Sequence, residues 1–125
     1  MKNKWLFISA LSGFFCIAFG AFAAHGLEKT LSPQAQAWIE TGLTYQMFHT
    51  IALMALAMLP SYLRIENDKC LSVIGTTWSL GILLFSGSLY LLALGASKAL
   101  VWATPIGGIL FLIGWATLAY RSIKH

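Results

Sequence analysis

The chain has 125 residues, of which 58% are hydrophobic and only 10% charged, and its mean hydropathy is +0.76. A soluble domain carries about 25% charged residues, so this chain has too few charges to cover a surface exposed to water. Its length suits one domain, because two halves would each be too small to bury a core. With 11 Gly, 3 Pro and 2 Cys, the composition also excludes collagen-like, disordered and disulfide-scaffold proteins.

Four uncharged runs predict membrane-spanning helices. They cover residues 5–24, 41–63, 70–97 and 99–120. A helix needs about 20 apolar residues to cross a hydrocarbon core about 30 Å thick, and the runs lack the alternation of membrane strands. The sequence therefore predicts an all-α fold, a bundle of four transmembrane helices within one integral membrane domain, 1–125. The approximate spans are 5–24, 43–63, 71–92 and 104–120.

Lys and Arg are unevenly divided between the two sides of this topology. The termini and the second loop carry six of them, and the first and third loops carry two. Because positive charge accumulates on the cytoplasmic side, we expect both termini to be cytoplasmic. The net charge of +4 then reflects topology, and no basic face for nucleic acid is expected. The six are Lys2, Lys4, Arg64, Lys69, Arg121 and Lys124, and the two are Lys29 and Lys98.

The first span also imitates a secretion signal. Ala21-Phe22-Ala23 has the A-x-A pattern of a cleavage site. The apolar stretch before it is longer than the usual core of a signal peptide, about 7–15 residues. We therefore expect the span to be retained in the membrane.

Small residues predict where the helices pack. In membranes they let helix backbones approach closely. In the first span they share one face, so we expect the phenylalanines of that span to face lipid. The third span has two small faces and is expected to lie between neighbours. The glycines assigned to helix packing are Gly13, Gly20, Gly75, Gly81, Gly87, Gly107 and Gly114.

The outer loops contain two helix-start signals. Ser32 followed by Pro33 predicts a short interfacial helix over 33–40, with Gly42 permitting a bend into the second span. Thr104 followed by Pro105 predicts the start of the fourth helix, with Thr104 as its N-cap. Part of 92–103 is then an outer connection.

The scarce polar side chains gather toward the outer half and define a candidate pocket. Polar groups at membrane depth usually face the bundle interior or a wet cavity, and a neutral imidazole is able to relay protons, ligate metal or donate a hydrogen bond. The alternative for each residue is structural: a hydrogen bond between helices, a helix cap or an interfacial anchor. The candidate pocket residues are His25, Glu28, Tyr45, Gln46, His49, Ser86 and Tyr90.

Cofactor and catalytic motifs are absent from the sequence. No H-E-x-x-H, G-x-S-x-G or phosphate-binding pattern occurs. Haem between spans generally needs facing histidines, and only His49 lies clearly within a span. Cys16 and Cys70 do not form a C-x-x-C pair. We expect no catalytic residue, no metal and no cofactor, which makes an enzyme the weaker interpretation.

Several ordered motifs resemble the YgdD-like family, also called domain of unknown function 423. The family consists of small bacterial inner-membrane proteins with a eukaryotic relative. The resemblance covers essentially the whole chain and implies four spans in the inner membrane, but no reaction. Ala23 departs from the family pattern, which favours Gly there. The matching segments are Gly20–His25, Trp38–Gly42, Tyr45–Thr50, Leu84–Tyr90, Thr104–Gly108 and Gly114-Trp115.

Three functional hypotheses follow. The first is an interaction or accessory protein of the membrane, in contact with lipid and with a second copy or another membrane protein. The second is a pathway for small solutes, ions or protons through the outer-half polar pocket. The third and weaker one is a membrane enzyme, or a protein that binds lipid, quinone or haem. The sequence leaves the choice open.

Overall fold

The computed structural model describes residues 3–27, 29–63 and 68–124. Throughout these residues the regular structure is helical, and four helices are long and apolar enough to cross a membrane. They are α1 (Lys4–Leu27), α2 (Pro33–Leu63), α3 (Lys69–Ala93) and α4 (Lys98–Ile123). The predicted all-α fold with four membrane-spanning helices is confirmed. Lys2, Glu28 and Arg64 lie outside the described residues.

Polar side chains at the ends of the apolar runs start two of the helices. Asn3 Oδ1 accepts a hydrogen bond from the Leu6 amide at the start of α1. Asp68 Oδ1 accepts from the amides of Cys70 and Leu71 at the start of α3. The first amides of a helix have no partner within it, so these caps explain why the helices begin where the apolar runs begin.

The second helix differs from the sequence prediction. Its start at Pro33 is as predicted, with Ser32 Oγ accepting from the Ala35 amide. However, α2 continues through Gly42 to Leu63 without a break, so 33–40 is not a separate short helix. Its 31 residues rise about 46 Å at ~1.5 Å per residue. That exceeds a hydrocarbon core of about 30 Å.

The connection between α3 and α4 also differs in detail. Part of 92–103 is a connection as expected: α3 ends at Ala93, Gly95 has φ +95°, and a 3-10 turn over Lys98–Trp102 leads into the α-helical part of α4. The predicted capping role of Thr104 is wrong. Thr104 lies inside the first α-helical turn, and its Oγ1 hydrogen-bonds to Ser88 Oγ on α3.

Helices α2, α3 and α4 enclose the main apolar core. Its buried side chains include Leu53 on α2, Ile74 and Trp78 on α3, and Phe111 on α4. Buried residues make up 39% of the most apolar stretch in α2 and in α3, against 11% in α1 and 17% in α4. The third span therefore lies between neighbours, and α1 and α4 are peripheral.

Helix α1 packs through its small face. Ser9 and Cys16 are buried there, whereas Phe7 and Phe14 are 64% and 78% exposed. The expectation that all phenylalanines of this span face lipid is wrong for Phe19. That ring is half-buried because it packs on Tyr90 of α3, with 4.6 Å between ring centroids.

Most of the glycines assigned to packing lie at helix contacts. A Cβ at Gly81 would stand 2.5 Å from the Phe111 ring, and one at Gly107 would overlap the Phe85 backbone. Gly87 is the exception, because a Cβ there would meet nothing within 4 Å. Its assignment to packing is therefore wrong. Of the remaining glycines, Gly13 faces Thr50, Gly20 faces Leu43, Gly75 faces Trp5, and Gly114 faces Trp78.

Two polar contacts hold one end of the bundle together. Asn3 Nδ2 donates to the Ala57 carbonyl across 3.0 Å, which ties the start of α1 to the end of α2. Arg121 Nε donates to Asp68 Oδ2 across 2.7 Å, which ties the end of α4 to the start of α3. The Arg121 guanidinium lowers the pKa of the Asp68 carboxyl below its ordinary value. Both described termini therefore lie at this end.

Gly107→Ala tests the close contact between α3 and α4. The added methyl group overlaps the Phe85 backbone, and such overpacking costs about 1–3 kcal/mol. The neighbouring change Gly108→Ala is the matched control, because its Cβ would lie 3.8 Å from the Phe85 ring, an ordinary contact. Unfolding of the purified protein by SDS should show a lower midpoint for Gly107→Ala alone. Equal midpoints would contradict this contact.

Asp68 variants separate the cap from the ion pair. Asp68→Asn retains the helix cap but loses the ion pair with Arg121. Asp68→Ala loses the cap as well, which costs about 1 kcal/mol more. Stability should therefore fall in the order wild type, Asp68→Asn, Asp68→Ala. Because the folded-state pKa of Asp68 is lowered, the contribution of its charge is present above about pH 3.9 and is lost as pH falls through the folded-state pKa. SDS unfolding midpoints against pH should therefore converge for wild type and Asp68→Asn in acid. A gap independent of pH argues against the pair.

Candidate functional site

A hydrogen-bond network centred on Gln46 joins α1, α2 and α3. Gln46 is 3% exposed. Its Nε2 donates to the carbonyl and the Oγ of Ser12, across 3.2 and 3.0 Å, and its Oε1 accepts from the Tyr90 hydroxyl across 2.6 Å. Ser12 Oγ also pairs with Thr50 Oγ1 across 2.6 Å. Both polar atoms of the Gln46 side chain therefore have partners on neighbouring helices.

A second polar contact joins α2 to α4 at His49. The indole Nε1–H of Trp115 donates to His49 Nε2 across 2.9 Å, and His49 Nδ1 lies 2.9 Å from the Tyr45 carbonyl. An indole nitrogen only donates, so Nε2 accepts, and Nδ1 carries the hydrogen that it donates to Tyr45. The ring also stacks on Phe111, with 3.7 Å between centroids. His49 is thus held as a neutral imidazole with both nitrogens bonded.

Ser86 lies at the end of a π turn that interrupts α3. This turn covers Ile82–Ser86, and the fully buried Ser86 Oγ donates to the Gly42 carbonyl of α2 across 2.7 Å. The Tyr90 ring packs directly on Gly42, where a Cβ would stand 2.6 Å from Tyr90 Cε1. Helix α2 is unbroken at Gly42, and the missing side chain there permits the close approach of an aromatic ring.

The other candidate pocket residues do not join these contacts. His25 is exposed at the end of α1, and no described hydrogen bond links it to His49. The Tyr45 side chain is 44% exposed and packs on Phe85, with 4.6 Å between ring centroids. Glu28 lies outside the described residues. The structure thus pairs Gln46 with Tyr90, and leaves the His25 and Tyr45 side chains outside both polar contacts.

Several recesses lie between the helices, and two of them bear on the candidate pocket. One cleft, between the end of α1 and the first half of α2, has a volume of 330 Å³, and its lining includes Gly20, Ala24, Glu40 and Leu43. None of the six candidate residues that the structure describes lines it. A larger recess of 630 Å³, named here the α1/α3 groove, has the Gln46 network at its base. Its principal lining residues are Ile8, Leu11, Phe15 and Phe19 of α1 and Ile82, Leu83, Gly87, Leu91 and Leu94 of α3.

Some partners of the candidate residues were not identified from the sequence. Ser12 belonged to the small face of α1, but nothing in its spacing indicated a contact with Gln46. Thr50 and Trp115 were noted only as parts of family motifs. The Trp115–His49 contact joins residues 66 positions apart and depends on how α2 and α4 pair. The only signal in the sequence is a stripe of polar residues on α2, and the sequence does not show which residues of other helices bond to it.

The polar groups of this site form hydrogen bonds between helices, and few of them are placed to react. Within the described residues, no group of three or more His, Cys, Asp or Glu side chains is placed to hold a metal ion. The imidazole, amide and hydroxyl groups of the site are already bonded to other protein groups. Trp78 Nε1 is the exception, a buried donor without a described partner, and it faces Gly114. This is the pattern of an integral membrane bundle that uses polar residues to fix helix positions.

Comparisons with known proteins place this bundle in a family. Residues 19–108 match the family described as Protein of unknown function (DUF423). The chain is 61% identical to a UPF0382 membrane protein of Haemophilus influenzae over 99% of this chain and 97% of that protein. It is 43% identical to the UPF0382 inner membrane protein YgdD of Escherichia coli over 99% of this chain and 93% of that protein. No solved structure matches it.

The fold, the site and these relatives define the class as multi-pass integral membrane proteins. The chain belongs to the DUF423 family, as its motifs indicated. These relatives are named only by family and membrane location, so the family relationship does not identify a reaction for this chain.

Tyr90→Phe tests the Gln46 network. The change removes the donor to Gln46 Oε1, which leaves a buried acceptor unpaired and should cost about 0.5–2 kcal/mol. Tyr62→Phe is the matched control, because Tyr62 is 83% exposed. The midpoint of SDS unfolding, followed by circular dichroism, should fall for Tyr90→Phe and stay unchanged for Tyr62→Phe. The same midpoint for both variants would show that the hydrogen bond contributes nothing.

Proposed function

We propose that this protein is an accessory or structural protein of the bacterial inner membrane that acts by interaction with a second copy or another membrane protein. The observation that carries the proposal is the pairing of its buried polar groups. Gln46, His49 and Tyr90 each form a hydrogen bond to a side chain on another helix. A proton or solute pathway needs groups that exchange partners with the transported species, whereas these groups hold helices together.

The distribution of charge supports an orientation with both termini in the cytoplasm. Lys4 and Lys69 start α1 and α3, and Arg121 lies in the last turns of α4, all at the end where the Asp68–Arg121 pair lies. Lys98 lies at the start of α4, at the opposite end. Under the positive-inside rule the end richer in Lys and Arg is cytoplasmic. The first turns of α2, near 33–40, then lie at the membrane–water interface on the side opposite the cytoplasm.

The outward face of α1 supports an interaction role. Phe14 and Ile17 are 78% and 70% exposed, and α1 contacts the rest of the bundle mainly through its opposite, small face. Rigid aromatic and branched side chains suit packing against another helix as well as against lipid. This face is therefore our candidate for contact with another membrane protein or with a second copy.

The test combines mass measurement with crosslinking in the membrane. The protein is extracted into nanodiscs directly from its native membrane, and a photoreactive residue replaces Phe14. Leu53, which is fully buried, is the matched control position. We expect a defined assembly heavier than the 13.7 kDa chain, with an adduct of matching mass from position 14 and none from position 53.

Two results would contradict the proposal. One is a strict monomer with no adduct from position 14. The other is a proton or ion flux through proteoliposomes that His49→Ala abolishes, which would favour the pathway hypothesis.

A further inference from the structure

The α1/α3 groove is built for an apolar chain. We propose that it binds one acyl chain of an anionic phospholipid, whose phosphate pairs with Lys4 at the end of the groove nearest the termini. This inference goes beyond the proposed function and does not depend on it. The occupant is a lipid of the leaflet that faces the termini.

The surface of the groove suits an apolar ligand better than a polar one. Four polar side chains line it, and each already has a hydrogen-bond partner: Ser12, Gln46 and Tyr90 bond within the Gln46 network, and Ser79 Oγ donates to the Gly75 carbonyl. The rest of the lining is apolar, and it includes the bare backbone of Gly87. These side chains direct their hydrogen-bond donors to other protein groups, so they offer a solute little polar recognition, whereas a hydrocarbon chain needs none.

The dimensions of the groove fit one chain. Helices α1 and α3 touch where Trp5 packs on Gly75 and where Phe19 packs on Tyr90, and the groove lies between these contacts. From Ile8 to Phe19 the helix rises about 16 Å at ~1.5 Å per residue, close to half of a hydrocarbon core about 30 Å thick.

The groove is open along one side. Leu11 and Leu83, at the rim, are 55% and 68% exposed, so the groove opens sideways into the hydrocarbon region, from which a lipid chain can enter.

Lys4 provides the complementary charge. It lies four residues before Ile8, and residues four apart share a helix face, so its ammonium group stands one turn beyond the first residue of the groove. It makes no ion pair with any described residue, and its Nζ lies 4.9 Å from the centroid of the Trp5 ring. A basic residue and an indole at the membrane surface, next to an apolar groove, match an anionic headgroup with its chain.

The π turn in α3 agrees with this assignment. Such turns occur mostly as single interruptions within α-helices and are frequent at functional sites. Here Ile82 and Leu83, its first residues, line the groove, Ser86 at its end bonds to α2, and Gly87 directly follows. At this interruption Ser86 bonds to the bundle, and the next residue, Gly87, leaves space open.

The first experiment fills the groove. Native mass spectrometry of the detergent-purified protein measures binding of dioleoyl phosphatidylglycerol. Gly87→Leu should weaken binding about tenfold or more, because its side chain displaces several methylene contacts. Gly87→Ala, whose Cβ meets nothing within 4 Å, controls for helix propensity and should bind nearly as wild type. Ala18→Leu, on an exposed part of α1 outside the groove, controls for bulk.

The second experiment tests the headgroup. Lys4→Gln should weaken binding of phosphatidylglycerol about fivefold and leave binding of dioleoyl phosphatidylcholine unchanged. Lys124→Gln is the matched control, because Lys124 lies at the same end but its Nζ donates to the Tyr120 hydroxyl. Helix content and the unfolding midpoint are measured for each variant. If Gly87→Leu fails to fold, Leu83→Trp at the exposed rim fills the same space.

Three results would overturn the proposal. Unchanged lipid binding by correctly folded Gly87→Leu or Leu83→Trp would show that the groove is not the site. Equal loss of phosphatidylglycerol binding in Lys4→Gln and Lys124→Gln would remove the assigned phosphate contact. A wild-type dimer that Gly87→Leu converts to a monomer would assign the groove to a second copy. The proposed function is tested separately, because it would be contradicted by a monomer without an adduct from position 14, and none of these three results is that outcome.

Discussion

The absence of water from the membrane interior is the constraint on which this structure depends. A polar side chain there has no solvent partner, so it bonds to another part of the protein or remains costly. Gln46 meets this requirement through Ser12 and Tyr90, and His49 through Trp115 and the Tyr45 carbonyl. Because these partners lie on different helices or different turns, satisfying the polar groups also sets the rotation and depth of each helix.

Helix α2 provides a polar partner to each of the other three helices. It provides Gln46 to α1 and α3, His49 to α4, and the Gly42 carbonyl to Ser86 of α3. Close packing supports the same arrangement, since Gly42 lies directly beneath the Tyr90 ring. In lipid, packing and hydrogen bonding replace the hydrophobic drive that assembles soluble bundles. Polar residues that appear chemically promising in the sequence therefore serve first to position helices.

The periphery of the bundle is where function is to be sought. Helices α1 and α4 bury little of their surface, and Phe14 is 78% exposed. Between α1 and α3 the satisfied polar groups form the base of an otherwise apolar groove that opens sideways. The outward face of α1 and this groove are distinct surfaces, for which we propose a protein partner and a lipid chain respectively. The bundle thus offers two separate surfaces for the interactions proposed above.

The sequence by itself determined the four membrane-spanning helices and the family, because uncharged runs of about 20 residues have few alternatives in lipid. It also placed the small face of α1 correctly, since helical spacing is a local property. Only the tertiary structure decided that α2 continues through Gly42, that Thr104 bonds to Ser88 instead of capping, and that Trp115 reaches His49. Each of these depends on a neighbouring helix, and helical periodicity identifies a face without identifying its partner. The sequence showed the polar stripe on α2, but it did not show that these polar groups form hydrogen bonds with neighbouring helices.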